Sequence, residues 1–168
     1  VFALATVSIP ALAAPSADAV LAANRAASGG DAWNNRHAVK VVYAYSGQGM
    51  TGTITSLDDL KTGNWRDDAA IGPATEVQGF DGTRAWDKDP SGSVTVQDGG
   101  DQRVVAVNEA YRRANIAWRP DHGGASIVSD GERTDAGKTF DVLTITPKDG
   151  KKFDAWFDTK THLLDRTV

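Results

Sequence analysis

The chain has 168 residues, 40% of them hydrophobic and 24% charged, with a formal net charge of −4. That is enough for one domain with a buried core, and the mixing of acidic with basic residues excludes a basic nucleic-acid-binding stripe. There are no cysteines, which excludes a disulfide framework and an acylated lipoprotein cysteine.

The chain opens "VFALATVSIPALAAPSADA". Its apolar run over residues 2–12 is too short to span a bilayer. It ends in Ala11-Leu12-Ala13, small residues at the spacing that signal peptidase accepts. Residues 1–13 are therefore read as a signal-peptide remnant, and a periplasmic or secreted protein of a Gram-negative bacterium is expected. Residues 14–168 are read as one β-rich domain.

Ser16 can cap a helix through "ADAVLAANRAAS", with Gly29-Gly30 as its stop. "AVKVVYAYSGQG" then alternates with period two, putting Val39, Val41, Tyr43 and Tyr45 on one face. "GMTGTITSLDDLKTGNWRDD" and "ATEVQGFDGTRAWDKDPSGSVTVQDGG" continue as short strands between Gly and Asp breaks. "DQRVVAVNEAYRRANIAW" changes period. Val104, Val107, Tyr111, Ala114 and Trp118 form a helical stripe, with Asp101 as N-cap and Pro120 as closure. Glu109 and Arg113 pair at i, i+4 on the expected outer face. Strands resume in "GASIVSDG", "KTFDVLTITP", "KKFDAWFD" and "HLLDRTV", linked by "SDGERTDAGK", "PKDGK" and "DTKT" as turns. The last strand pattern runs to Val168, so a further segment or domain is expected to follow. The predicted fold is α+β, mainly β: a curved antiparallel sheet or unclosed β-barrel with a helical lid.

Motifs for chemistry are incomplete. Asp87, Asp89, Ser91, Gly92 and Asp98 fall at positions one, three, five, six and twelve of a calcium loop. No helix enters that loop, Asp98 stands where a bidentate Glu is wanted, and Val94 and Val96 alternate as in a strand. A turn is the better reading. His37, His122 and His162 lack the paired spacing of a zinc site. There is no G-x-S-x-G elbow and no D-[ST]-G, and "GQGMTG" is followed by no helix that could hold a phosphate. No catalytic residue, metal or cofactor is predicted.

What remains is aromatic: Trp33, Trp65, Trp86, Trp118 and Trp156 with Tyr43, Tyr45 and Tyr111. Core packing accounts for most such rings. The functional alternative is a cavity lined by Tyr43, Tyr45, Trp65, Trp86, Tyr111 and Trp156 that takes an acyl chain or an apolar peptide. In that alternative Trp86 points into the barrel interior.

"AANRAASGGDAW", "GFDGTRAWDKDPSG", "NEAYRRA" and "FDAWFDTKTHLLDR" together resemble the N-terminal region of exported bacterial proteins of the retropepsin-like aspartyl-protease family. There a domain similar to the outer-membrane lipoprotein carriers (LolA/LolB-like) precedes the protease domain. The resemblance covers nearly the whole of residues 14–168. It implies an eleven-stranded unclosed barrel with a helical lid, and an acyl-chain cavity in the carriers. It implies a C-terminal domain of the same protein as partner, and no catalytic residue in this part. The alternatives are a free-standing carrier of lipids or lipoproteins and, from a different class, a small hydrolase or metal-binding module.

Overall fold

The computed structural model describes residues 14–97 and 99–168. The signal-peptide reading of residues 1–13 and the role of Asp98 lie outside the described residues. Helix α1 spans Ala17–Ala27, capped by the Ser16 side chain, which accepts from the Ala19 N–H at 3.2 Å. Asp18 in the first turn and Arg25 in the last both suit the helix dipole.

Ten antiparallel strands follow in two sheets. β1 (Ala38–Gly47), β2 (Met50–Asp59), β3 (Trp65–Ile71), β4 (Ala74–Phe80), β5 (Ala85–Lys88) and β6 (Val94–Val96) form the first, in sequence order. β7 (Ser126–Asp135), β8 (Lys138–Thr146), β9 (Phe153–Asp158) and β10 (Leu164–Thr167) form the second, ordered β10-β9-β8-β7. Helix α2, Gly100–Arg113, lies between the two sheets in sequence. The expected α+β, mainly antiparallel architecture holds, and the described strands form no closed barrel. The implied eleven strands of one barrel are here ten described strands in two sheets.

Two-residue turns set the register. "GQGM" joins β1 to β2 with Gly47 opposite Met50, and Gln48 and Gly49 both take positive φ, 51° and 75°. That geometry matches the twist of a hairpin and explains the glycine. "SDGERTD", expected as a turn, is instead the body of β7. It carries a bulge between Ser129 and Gly131, and only Ala136-Gly137 turns the chain.

α2 is wedged between the sheets. Ala106 and Ala110 pack on Trp65, Phe80 and Ala85 of the first sheet. Tyr111 packs with Val20, Leu21, Leu143, Ile145, Ala155 and Phe157 over the second. The small alanine side chains let the helix approach the sheet closely. Two sequence expectations fail here. Asp101 lies inside the first turn and pairs with Lys151, while Gly99 occupies the cap. The helix ends at Arg113, ahead of Pro120, because Asn115 turns left-handed into a short 3₁₀ turn at Ile116–Trp118.

Asp141 stands apart in the second sheet. Its carboxyl is pushed up by burial and by the neighbouring Glu132 charge, and one of its oxygens is buried without a hydrogen-bond partner. A folded value raised above the unfolded one means that the ionised form opposes folding. The contribution is favourable at low pH and is lost as pH rises through the folded value. Asp141→Asn is therefore expected to raise the melting temperature at neutral pH, with the gain vanishing near pH 3, as thermal melts across pH would record.

Candidate functional site

The inner face of the first sheet is organised in rows across its strands. Asp58, Trp65, Phe80 and Ala85 are directly opposite one another, and α2 covers them. The next row is Ser56, Asp67, Gln78 and Asp87. The third is Tyr43, Ile54, Ala69 and Glu76. Period-two alternation brings each row to one face.

Arg113, in the last turn of α2, reaches down onto the second row. Its guanidinium donates to both Asp67 oxygens at 2.8 Å, to Ser56 Oγ at 3.0 Å and to Asp58 at 3.3 Å. Its Nε donates to Glu109 at 3.1 Å. The group also stacks 4.4 Å above the Trp65 ring, whose indole N–H donates to the Ala106 carbonyl. Burial would by itself raise the Asp67 carboxyl, but bonds from Arg113, Ser56 and Gln78 outweigh it and hold it below the usual carboxylate range. Burial likewise works against the Arg113 charge, and Asp67 and Glu109 overcome it, so the guanidinium holds its proton more tightly than usual. The Glu109–Arg113 pair expected on the outer face is thus part of a clamp between helix and sheet. Its carboxylates are engaged by a fixed cation, which suits anchoring better than proton transfer.

Beside the clamp lies a cleft of about 730 Å³ between α2 and strands β4 to β6. Gln78, Asp87 and Gln97 line it from the sheet side, Gln102 and Glu109 from the helix, and Trp65 at its floor. Asp87 accepts from the Gln97 amide at 2.5 Å. Asp89 bonds Ser91 Oγ at 2.6 Å and the Ser93 N–H at 3.0 Å, so the "DPSG" segment is a turn held by its own carboxylate. Among the described residues no group of three or more His, Asp or Glu is placed to hold a metal.

The six aromatic candidates divide into three pairs. Trp65 and Tyr111 are buried and face inward. Tyr111 donates to the His122 carbonyl at 3.1 Å, and burial pushes its hydroxyl up to about 12. It borders a void of only about 70 Å³, because the core fills the space over the second sheet. Tyr43 and Tyr45 lie on the inner face beyond the reach of α2, and Tyr43 is 53% exposed. Trp86 and Trp156 alternate with the inward residues of their strands. Ala85 and Asp87 point towards α2, so alternation puts Trp86 on the opposite face. There its ring lies over Gly79, where an added Cβ would come within 2.6 Å of it. Trp86 is nonetheless among the residues that border the cleft beside α2. Trp156 is opposite Val142 on the outer face of the second sheet, edge-on to Phe140 and under the Arg166 guanidinium at 4.3 Å.

The Arg113 cluster was missed in the sequence. Its signal was present: in "WRDD", Trp65 and Asp67 share a face, and an Asp beside an inward Trp on a strand demands a buried cation.

No family model matches the chain, and no curated protein matches it. Among solved structures, a DUF1329 family protein from Desulfovibrio piger is similar over 88% of this chain and 72% of its own. Its identity is 16% and its TM-score 0.45. The crystal structure of MucB is similar over 89% of this chain and 49% of its own, at 16% identity and a TM-score of 0.27. Among the described residues no helix is long and apolar enough to cross a membrane.

Proposed function

We propose that this chain is a non-catalytic, extracytoplasmic binding domain of the lipoprotein-carrier-like type, whose ligand is an apolar peptide segment held in the cleft beside α2. It would serve as the accessory module of a larger aspartyl-protease-family protein. The observation that carries the ligand reading is the juxtaposition of two rows. The polar row with Gln78 and Asp87 lines the cleft, and beside it runs the row whose Glu76 also lines the cleft and whose Ala69, Ile54 and Tyr43 extend from it across the part of the sheet that α2 leaves open. A peptide brings apolar side chains for the second row and N–H donors for the first.

A bare acyl chain fits less well. It would desolvate the Gln78, Gln97 and Gln102 amides without bonding them, and its carboxylate head would meet Asp87 and Glu109. The space over the second sheet, about 70 Å³, is far below what a drug-sized ligand occupies.

Fluorescence polarisation with labelled apolar peptides should give saturable binding that a fatty acid does not displace. Gln78→Leu should weaken it about 2- to 10-fold, the range of one hydrogen bond. Tyr43→Ala should weaken it too while leaving stability within about 0.5 kcal/mol, since the ring is exposed. Saturable binding of a fluorescent fatty acid with none of peptide would replace this reading with a lipid carrier. A coding sequence that stops soon after Val168 without a D-[ST]-G would remove the protease parent.

A further inference from the structure

The edges of the two sheets are not alike. β6 has three residues. β7 is bulged and carries Asp130, Glu132, Arg133 and Asp135. β10 is bulged between Leu164 and Arg166 and carries Asp165 and Arg166. Shortness, bulges and charge are the devices by which proteins keep an edge from pairing. β1 has neither of the first two and little of the third. It runs ten residues in unbroken register with β2, without proline and with Lys40 as its single charge. Among the described residues no strand lies beyond it. Val42 is 59% exposed.

The turn fixes which of its backbone groups are free. A two-residue hairpin makes the flanking pair, Gly47 and Met50, hydrogen-bonded. Bonded pairs then alternate, so Val39, Val41, Tyr43 and Tyr45 bond to β2. Lys40, Val42, Ala44 and Ser46 direct their N–H and C=O groups outward.

We propose that β1 is a pairing edge for a second copy of this chain, joined antiparallel about Val42. The strand is self-complementary in that register. Val42 faces Val42, and Lys40 of one copy faces Ala44 of the other, so the lysines do not meet. On the inner face Tyr43 faces Val41 and Tyr45 faces Val39, and aromatic–β-branched pairs are favourable cross-strand neighbours. The outward N–H and C=O groups of Val42 bond their equivalents. The pairing joins two six-stranded sheets into one of twelve and places the two open inner faces side by side. It does not depend on the peptide reading.

Sedimentation velocity over a dilution series, with hydrogen exchange at each concentration, tests this. The expected species has twice the 17.8 kDa of the chain and dissociates on dilution. The amides of Lys40, Val42, Ala44 and Ser46 should gain protection only in that species. Those of Val39, Val41, Tyr43 and Tyr45 should be protected throughout. Ala44→Lys sets lysine against Lys40 twice and should shift the equilibrium to monomer, while Ala44→Glu should strengthen the dimer. Both changes are on an exposed side chain, so folding is not at issue. Val42→Pro, which removes an outward N–H and no hydrogen bond to β2, should also give monomer. A wild type that is monomeric at every concentration overturns the proposal. So does a dimer indifferent to residue 44 whose edge amides stay unprotected, and so does an edge that pairs only with an added peptide.

Discussion

Replacing Arg113 with methionine is expected to cost about 3–5 kcal/mol of folding stability at neutral pH, the range for breaking a buried ion pair by removing one partner. Methionine fills the space and keeps helix propensity, so the loss isolates the charge. Asp67 would remain buried against α2 with only Ser56 and Gln78 to bond it, and Asp58 and Glu109 would lose their shared cation. The pH dependence identifies the cause. In the wild type Asp67 is held below its unfolded value of about 3.9, so its contribution is present above that pH and is lost as pH falls through the folded value. In the variant burial is opposed only by the Ser56 and Gln78 bonds, so Asp67 moves up and protonation relieves part of the penalty. The gap between the two proteins in urea denaturation should therefore narrow as pH falls from 7 towards 4. A gap that is constant with pH would mean that Arg113 acts by packing alone. Arg113→Lys should fall between them, since an ammonium cannot make the bidentate bond to Asp67.

Trp65→Ala is expected to cost about 3–5 kcal/mol and Trp86→Ala about 1–2 kcal/mol. Trp65 is 8% exposed, bonds the α2 backbone and carries the Arg113 guanidinium on its face. Its loss opens the contact between α2 and the first sheet. For a domain of this size the larger figure is on the order of a 10 °C drop in melting temperature. Trp86 is half-buried on the far face, so truncation mostly re-exposes Gly79 and its surroundings to water. Thermal melts of the two variants side by side decide this. Equal losses would mean that Trp86 is a core residue after all.

Much of the fold was legible because local chemistry dictates it. Ser16 caps α1, period-two alternation marks β1, and the D-G and G-x-G segments turn the chain. The errors arose where two local signals competed. "SDG" is turn chemistry, yet here it makes a bulge, because Ile127 and Ser129 on one side and Arg133 on the other continue the ladder with β8. Trp86 was expected inward because large rings are usually buried. A strand has two faces, and only the register with β4 tells which face α2 covers.

The candidate site was less legible for the same reason. Tyr43, Tyr45, Trp65, Trp86, Tyr111 and Trp156 were all named by residue type, and type does not say which face of a strand a ring takes or where α2 lies. The sequence alone determined the elements: two helices, and short antiparallel strands with their turns. These follow from propensity, capping and periodicity, which act over a few residues. The tertiary structure decided which face of each strand is covered, and it turned a surface-type Glu109–Arg113 pair into a clamp on Asp67. It also filled one half of the interior while leaving a polar cleft in the other. Those outcomes depend on contacts between residues far apart in the chain, such as Arg113 with Ser56 and Val20 with Phe157, and no local pattern encodes them.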